Sequence, residues 1–289
     1  MGRMGAILRL TRIEHSLMLV IAVFAAELIS GGIPQPIALA ASFVTPIFIS
    51  MASFAINDYF DVGVDRANGK EDRPLVSGEL RKCDALYVTY ASLAIGMFAS
   101  LLINTYAFFI AVIFGALAML YSYRLKETLL LGNAYIAFSM AIPFIYGDFV
   151  VSEHLLYSIA LVSLMIFLSG IAREVHGTVR DYEGDRRRRV LSLPRLIGKR
   201  GASAVAAALY AIAIAISVYL FLDIAPFAHN IAYALPVALV DLLLAYVSVG
   251  YLVRKSASFY RLARNLSLAA MGLALVAILI APLTYALLG

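Results

Sequence analysis

Residues Ile37–Asp65 read IALAASFVTPIFISMASFAINDYFDVGVD, a long uncharged run that ends in an asparagine and three aspartates. About 20 apolar helical residues cross a hydrocarbon core, so Ile37 to Ile56 predicts a membrane-spanning helix. If the helix continues, Asp58, Asp61 and Asp65 fall within about 60° of one another around its axis. Asn57, Asp61 and Asp65, spaced by four, lie along nearly one edge. Carboxylates crowded on one face repel each other unless a cation neutralises them. Oxygen donors from Asp and Asn, with no Cys or His beside them, suit a hard ion such as Mg²⁺. The plainer alternative is a solvated helix end carrying ordinary surface charge.

A second stretch repeats the pattern about 120 residues later. In Gly177-Thr178-Val179-Arg180-Asp181-Tyr182-Glu183-Gly184-Asp185, Asp181 and Asp185 keep the spacing of Asp61 and Asp65, while Thr178 stands where Asp58 stood. Two acidic clusters of one pattern predict two halves facing each other across one site. Each supplies too few ligands to close a cage, so the expected arrangement is two Mg²⁺ ions bridged by a diphosphate.

Working outward, the composition places the whole chain in a membrane. Hydrophobic residues make up 63% of it and charged residues 14%, far from the soluble norm. Apolar runs recur at Ser16 to Ile33, Ile37 to Ile56, Ala85 to Tyr123, Thr128 to Gly147, Leu155 to Ala172, Ala202 to Leu222, Ile231 to Val253 and Asn265 to Gly289. Ala85 to Tyr123 is too long for one crossing, and Asn104-Thr105 marks a turn within it. The expectation is therefore an all-α integral membrane protein. Nine transmembrane helices form one domain over residues 1–289, around a central cavity opening at the cytoplasmic side. The runs lack the period-2 alternation of a β-barrel.

With nine spans, all 23 Lys and Arg fall in connections on the N-terminal side. The positive-inside rule makes that side cytoplasmic and leaves the C-terminus outside. The net charge of +5 is then a cytoplasmic rim rather than a nucleic-acid footprint, and the cell membrane is the expected location. Arg186 to Arg189 suits anionic lipid heads. Cys83 is the single cysteine, which excludes disulfides and thiolate metal sites within the chain. The first apolar run is too long for a cleaved signal peptide and leads straight into a second.

Both acidic motifs share their side with most of the cations. Arg66, Lys70 and Arg73 follow the first motif, and Tyr121-Ser122-Tyr123-Arg124-Leu125-Lys126 closes the fourth span. Cations beside carboxylates suit a strongly anionic ligand: metal neutralises one flank of a diphosphate while Lys and Arg hold the other. The faces of Tyr121 and Tyr123 can stabilise an allylic carbocation without attacking it; interfacial tyrosines and snorkelling cations are the alternative. Glu14 and His15 are expected to cap the first span. Glu27 and Asp241, inside spans, are expected to be held by buried hydrogen bonds.

The pattern Asn-Asp-x-x-Asp-x-x-x-Asp at Asn57–Asp65, followed by Arg73-Pro74 and Ser77-Gly78, resembles the first signature of the UbiA-type intramembrane prenyltransferases. Asp181-Tyr182-Glu183-Gly184-Asp185, then Leu193-Pro194, resembles the second, and Tyr121 to Lys126 the tyrosine–lysine element, with a gap one longer than the commonest form. The likeness spans the chain. It implies Mg²⁺-dependent transfer of an isoprenyl group from its diphosphate to a lipophilic acceptor, with Asp61, Asp65, Asp181, Asp185 and Lys126 in catalytic roles. It also implies metal ligation by Asn57, Asp58 and those four aspartates. Where members often carry Lys-Asp, this chain has Gly177-Thr178, which bears on position 178 and on acceptor choice. Asp72-Arg73-Pro74, Leu131-Gly132-Asn133 and Arg173-Glu174 are most similar to the archaeal branch that prenylates geranylgeranylglyceryl phosphate. The branch acting on 4-hydroxybenzoate in quinone biosynthesis is the alternative.

Two other classes compete. A cation-dependent transporter would place its carboxylates near the bilayer midplane in broken helices, whereas both clusters here lie at the cytoplasmic edge. A CDP-alcohol phosphotransferase needs Asp-Gly followed by Ala-Arg, which the first cluster lacks.

Overall fold

The computed structural model describes residues 2–128, 131–187, 191–254 and 256–288. Helices α1 (Arg3–Thr11), α2 (Ile13–Ile29), α3 (Pro36–Ala67), α4 (Lys82–Leu101), α5 (Thr105–Tyr123), α6 (Leu131–Val151), α7 (Tyr157–Arg180), α8 (Tyr182–Arg187), α9 (Leu193–Asp223), α10 (Ile231–Val253) and α11 (Ala257–Leu288) follow one another. A 3₁₀ turn at Leu125–Glu127 lies between α5 and α6. Among the described residues there is no strand. Eight helices, α3 to α7 and α9 to α11, are long and apolar enough to cross a membrane. The first expected span is covered by α2, which at 17 residues stops at Ile29 because Ser30 and Gly32 turn the chain by bonding back to Ala26 and Glu27.

The packing divides into two groups. α3 packs on α4 and α5, while α7 packs on α9 and α10 on α11; α2 and α6 lie between, touching both groups. At the α2–α6 crossing Gly147 lets the backbones meet, since a Cβ there would stand 2.5 Å from the Val23 carbonyl oxygen. Close approach through small residues is how helices associate when lipid is as apolar as their side chains. The largest buried cluster joins Phe144, Ile159, Val162, Leu220, Phe227, Tyr233 and Ile278. Leu235, Leu242 and Val249, seven residues apart on α10, are exposed instead, forming a stripe suited to acyl chains.

Several local expectations hold. Asn104 caps α5, its side chain accepting from the Ala107 N–H at 2.8 Å while donating to the Phe149 carbonyl at 2.7 Å. Asp241 accepts from Ser217 at 2.7 Å. Others are corrected. Glu27 is fully buried, yet neither carboxylate oxygen has a hydrogen-bond partner among the described residues, because the Ser42 hydroxyl bonds to the Leu39 carbonyl. The helix that carries the seventh expected span starts ahead of that apolar run, at Leu193, and Gly198 breaks it at φ 77°. The residues before the first span are themselves helical: α1 ends on a left-handed Arg12, and Ala6 and Leu10 pack with Ala55, Leu75, Leu80 and Ala85.

Candidate active site

The first motif lies on an unbroken helix, since α3 runs through to Ala67. Its end is a Schellman arrangement: Lys70 N–H donates to the Asp65 carbonyl at 3.0 Å and Gly69 N–H to Arg66 at 3.1 Å. Gly69 adopts φ +67°, the left-handed geometry that this cap requires and glycine supplies cheaply. The turn folds the chain back on the motif, and Lys70 Nζ sits 2.9 Å from Asp65 Oδ1. Three residues on, Arg73 bridges Asp58 Oδ1 at 2.6 Å and Asp65 Oδ2 at 2.7 Å. From the α1–α2 junction Arg12 donates to Asp58 Oδ1 at 2.8 Å. Asp58 and Asp65 are both buried, at 3% exposure.

Asp61, on the open side of the helix, accepts from Lys126 Nζ. That contact joins the first motif to the tyrosine–lysine element. Tyr121 stacks on Tyr135 with centroids 4.4 Å apart, and Tyr135 stacks in turn on Phe114. The Tyr121 hydroxyl lies within electrostatic range of both Asp61 and Glu174. Of the expected binding residues, Lys70, Arg73, Tyr121 and Lys126 gather at this motif. Arg66 and Tyr123 are exposed, and the Arg124 guanidinium rests 5.4 Å above the Tyr123 ring.

The second motif folds differently. α7 stops at Arg180 and Asp181 becomes its cap, with its N–H on the Gly177 carbonyl. Asp181 is exposed and accepts two hydrogen bonds from Arg180, at 2.8 and 2.6 Å. The Thr178 hydroxyl bonds to Val175 of its own helix. The Asp185 side chain, Arg188 and Arg189 lie outside the described residues. Beside Asp181 a cavity of about 450 Å³ opens between α7, α9, α10 and α11.

The UbiA prenyltransferase family profile matches residues 18–269. The chain belongs to that family. A digeranylgeranylglyceryl phosphate synthase of Archaeoglobus fulgidus is 38% identical over 278 residues, covering 94% of this prenyltransferase and 93% of the relative. A solved digeranylgeranylglyceryl phosphate synthase superposes with a TM-score of 0.83 at 27% identity, covering 98% and 100% of the two chains. A UbiA homologue from Archaeoglobus fulgidus bound to GPP and Mg²⁺ shares the fold, with a TM-score of 0.64 at 20% identity over 94% and 99% of the chains. The protein is thus a multi-pass membrane prenyltransferase.

Among the described residues, no three His, Cys, Asp or Glu side chains stand in a metal-binding cluster, and arginine and lysine pair with the carboxylates of the first motif. The donor chemistry of the first motif nonetheless fits a hard cation. Its ligands are oxygens only, and Asp65 Oδ2 is buried without an aligned hydrogen-bond donor although Arg73 stands close to it. Sequence reasoning missed Arg12 as a partner of Asp58. It also took Glu174 only as part of the family resemblance, although its position seven residues before Asp181 puts it on the same helical face.

Proposed function

We propose that the chain transfers a geranylgeranyl group from its diphosphate to geranylgeranylglyceryl phosphate, making a second ether bond. The observation that carries this reading is the Asp61–Lys126 contact, which brings a carboxylate motif and a cation of separate elements to one point beside Tyr121. The synthase activity named for the relative that covers 94% of this chain supports the acceptor, as does Arg73 in its Asp72-Arg73-Pro74 loop.

Asn57, Asp61 and Asp65 would hold one Mg²⁺, and Asp181 with Asp185 a second. Mg²⁺ supplies charge neutralisation at the diphosphate when bound. Asp58, held by Arg12 and Arg73, supports the first cluster from behind. Lys126 donates to a diphosphate oxygen, a charge-assisted bond that strengthens as the leaving group gains charge. As the allylic C–O bond breaks, the diphosphate departs with the electron pair and the acceptor hydroxyl oxygen bonds to that carbon, releasing its proton. Stacked Tyr121 and Tyr135 present π faces to the cationic carbon, and the apolar bundle keeps water from it.

In the membrane, α2 makes the ninth crossing, the N-terminus and both motifs face the cytoplasm, and the whole chain acts as one domain. Single cysteines replacing Glu153 and Arg186 in a Cys83→Ser background should label from opposite sides; labelling from one side would overturn the topology. Purified protein given geranylgeranyl diphosphate, Mg²⁺ and geranylgeranylglyceryl phosphate should yield the diether, and chelator should stop it. Transfer to 4-hydroxybenzoate instead would move the chain to the aromatic branch.

A further inference from the structure

The cavity beside Asp181 reaches well past the acidic motif. At about 450 Å³ it falls within the roughly 300–1,000 Å³ of small-molecule sites. Its walls carry three guanidiniums, Arg173, Arg180 and Arg264, against two carboxylates, Glu174 and Asp181. Arg180 is committed to Asp181, and Arg173 Nη1 reaches Glu174 at 3.2 Å. Arg173 Nε is buried without a partner among the described residues. The Arg264 guanidinium enters none of the ion pairs or hydrogen bonds seen among the described residues, and its carbonyl accepts from Ser267.

His176 is the decisive side chain. It lines the cavity, is only 3% exposed, and has no hydrogen-bond partner at either ring nitrogen among the described residues. Its ring lies flat on Tyr251, with centroids 3.8 Å apart and planes 4° from parallel, so the imidazole is held in place and its edge is unsatisfied. Buried polar groups without partners are rare and call for a ligand or water. Guanidiniums around a hydrogen-bonding imidazole match a tetrahedral oxyanion with several acceptor atoms.

We infer that this cavity binds the phosphate of the acceptor, with His176, Arg173 and Arg264 holding a phosphomonoester headgroup while the donor diphosphate lies at the Asp61–Lys126 side. The inference rests on the glyceryl phosphate acceptor proposed above. It explains how one enzyme keeps two anionic lipids apart: each has its own cations, on different helices. The headgroup is anchored within the α7–α11 group, and Asp181 stands at the junction of the two pockets.

The test uses the full-length enzyme in nanodiscs, wild type, His176→Phe (which keeps the stack on Tyr251) and Arg264→Gln. Steady-state kinetics should show KM for geranylgeranylglyceryl phosphate raised at least tenfold in each variant, with KM for donor and the Mg²⁺ dependence within twofold of wild type. Equilibrium titration with sn-glycerol 1-phosphate, in the absence of donor, should show binding to wild type that both variants lose. Transfer by wild type with acceptor KM unchanged in both variants overturns the phosphate pocket while leaving the proposed reaction standing. Wild type that binds glycerol phosphate through these residues but does not prenylate the lipid overturns the acceptor and leaves the pocket. Absence of both binding and transfer in wild type removes both.

Discussion

Asp58, Asp61 and Asp65 sit on an unbroken helix and are met by cations from four other places in the chain: Arg12, Lys70, Arg73 and Lys126. Asp181, at the matching place in the second motif, caps a helix that has already ended and pairs with its neighbour Arg180. The spacing is the same and the environment is not. The first motif is assembled by contacts that fold must bring together, and it is buried enough that those contacts contribute to stability. Asp181 is solvated and paired with its neighbour Arg180, so that pair can be exchanged at little structural cost. The first motif is a platform held by several elements, whereas Asp181 is held by its neighbour.

The largest effect expected from this asymmetry is on catalysis, where both halves should be indispensable. Asp61→Ala and Asp181→Ala should each lower transfer by at least about a hundredfold, the scale of removing one electrostatic stabiliser from an active site. The double variant should lose little more, because groups acting as a unit are strongly non-additive. The halves should separate in thermal unfolding: Asp181→Ala, at an exposed position, should stay within about 0.5 kcal/mol of wild type. Near-normal turnover in either single variant would return these aspartates to surface charge.

Stability should respond most at Arg73. Its removal leaves Asp58 and Asp65 buried with fewer countercharges, and breaking buried ion pairs costs about 3–5 kcal/mol. Arg124, exposed on the Tyr123 ring, serves as the control: Arg124→Ala should fall within about 0.5 kcal/mol of wild type. Equal melting temperatures for the two variants in detergent would show that the first motif is not the platform described here.

The sequence made the helices legible because a bilayer demands long uncharged runs, and it made both motifs legible because helical spacing fixes which residues share a face. The Asn104 turn was readable for the same reason, as a polar interruption in an apolar stretch. What was not readable depends on contacts between distant residues. Arg12 looks like one of many cations before the first span, and only the packing of α1 on Leu75 and Leu80 brings it to Asp58. The break at Asp181 was hidden because Gly184 and the arginines beyond it fit either a continued helix or a turn. His176 reads as an ordinary core residue until its neighbours are known. The left-handed Gly69 that ends α3 fixes where Lys70 lands.

A smaller, more selective effect is expected at Lys126. Its bond to Asp61 would be shared with the donor diphosphate, and losing a charge-assisted hydrogen bond costs about 1.5–3 kcal/mol. Lys126→Gln should therefore raise donor KM about tenfold or more and leave acceptor KM nearly unchanged. Parallel increases in both constants would place Lys126 in the framework rather than at the donor.

The smallest effect tests how the platform is clamped from outside. Arg9 on α1 donates to both Glu79 carboxylate oxygens at 2.6 Å, and Arg3 reaches Asp84 at 2.7 Å. The Arg9 pair ties α1 to the loop that carries Arg73, and the Arg3 pair ties it to the start of α4. The hydrogen bond from Arg9 holds the Glu79 carboxyl below the usual carboxylate range, and Ser77 adds to it. A carboxylate whose pKa is depressed by folding stabilises the fold above its unfolded value, about 4.3, and loses that contribution as pH falls through the folded value. Stability of wild type should therefore decline slightly faster than that of Glu79→Gln as pH is lowered from about 5, and the two should run parallel above it. Because the pair is exposed, the difference should also shrink when salt is raised, since surface ion pairs are screened. If α1 docks chiefly through Ala6 and Leu10, the two acid profiles will coincide. Arg12 would then reach Asp58 by apolar packing alone, and the platform would need no clamp at its rim.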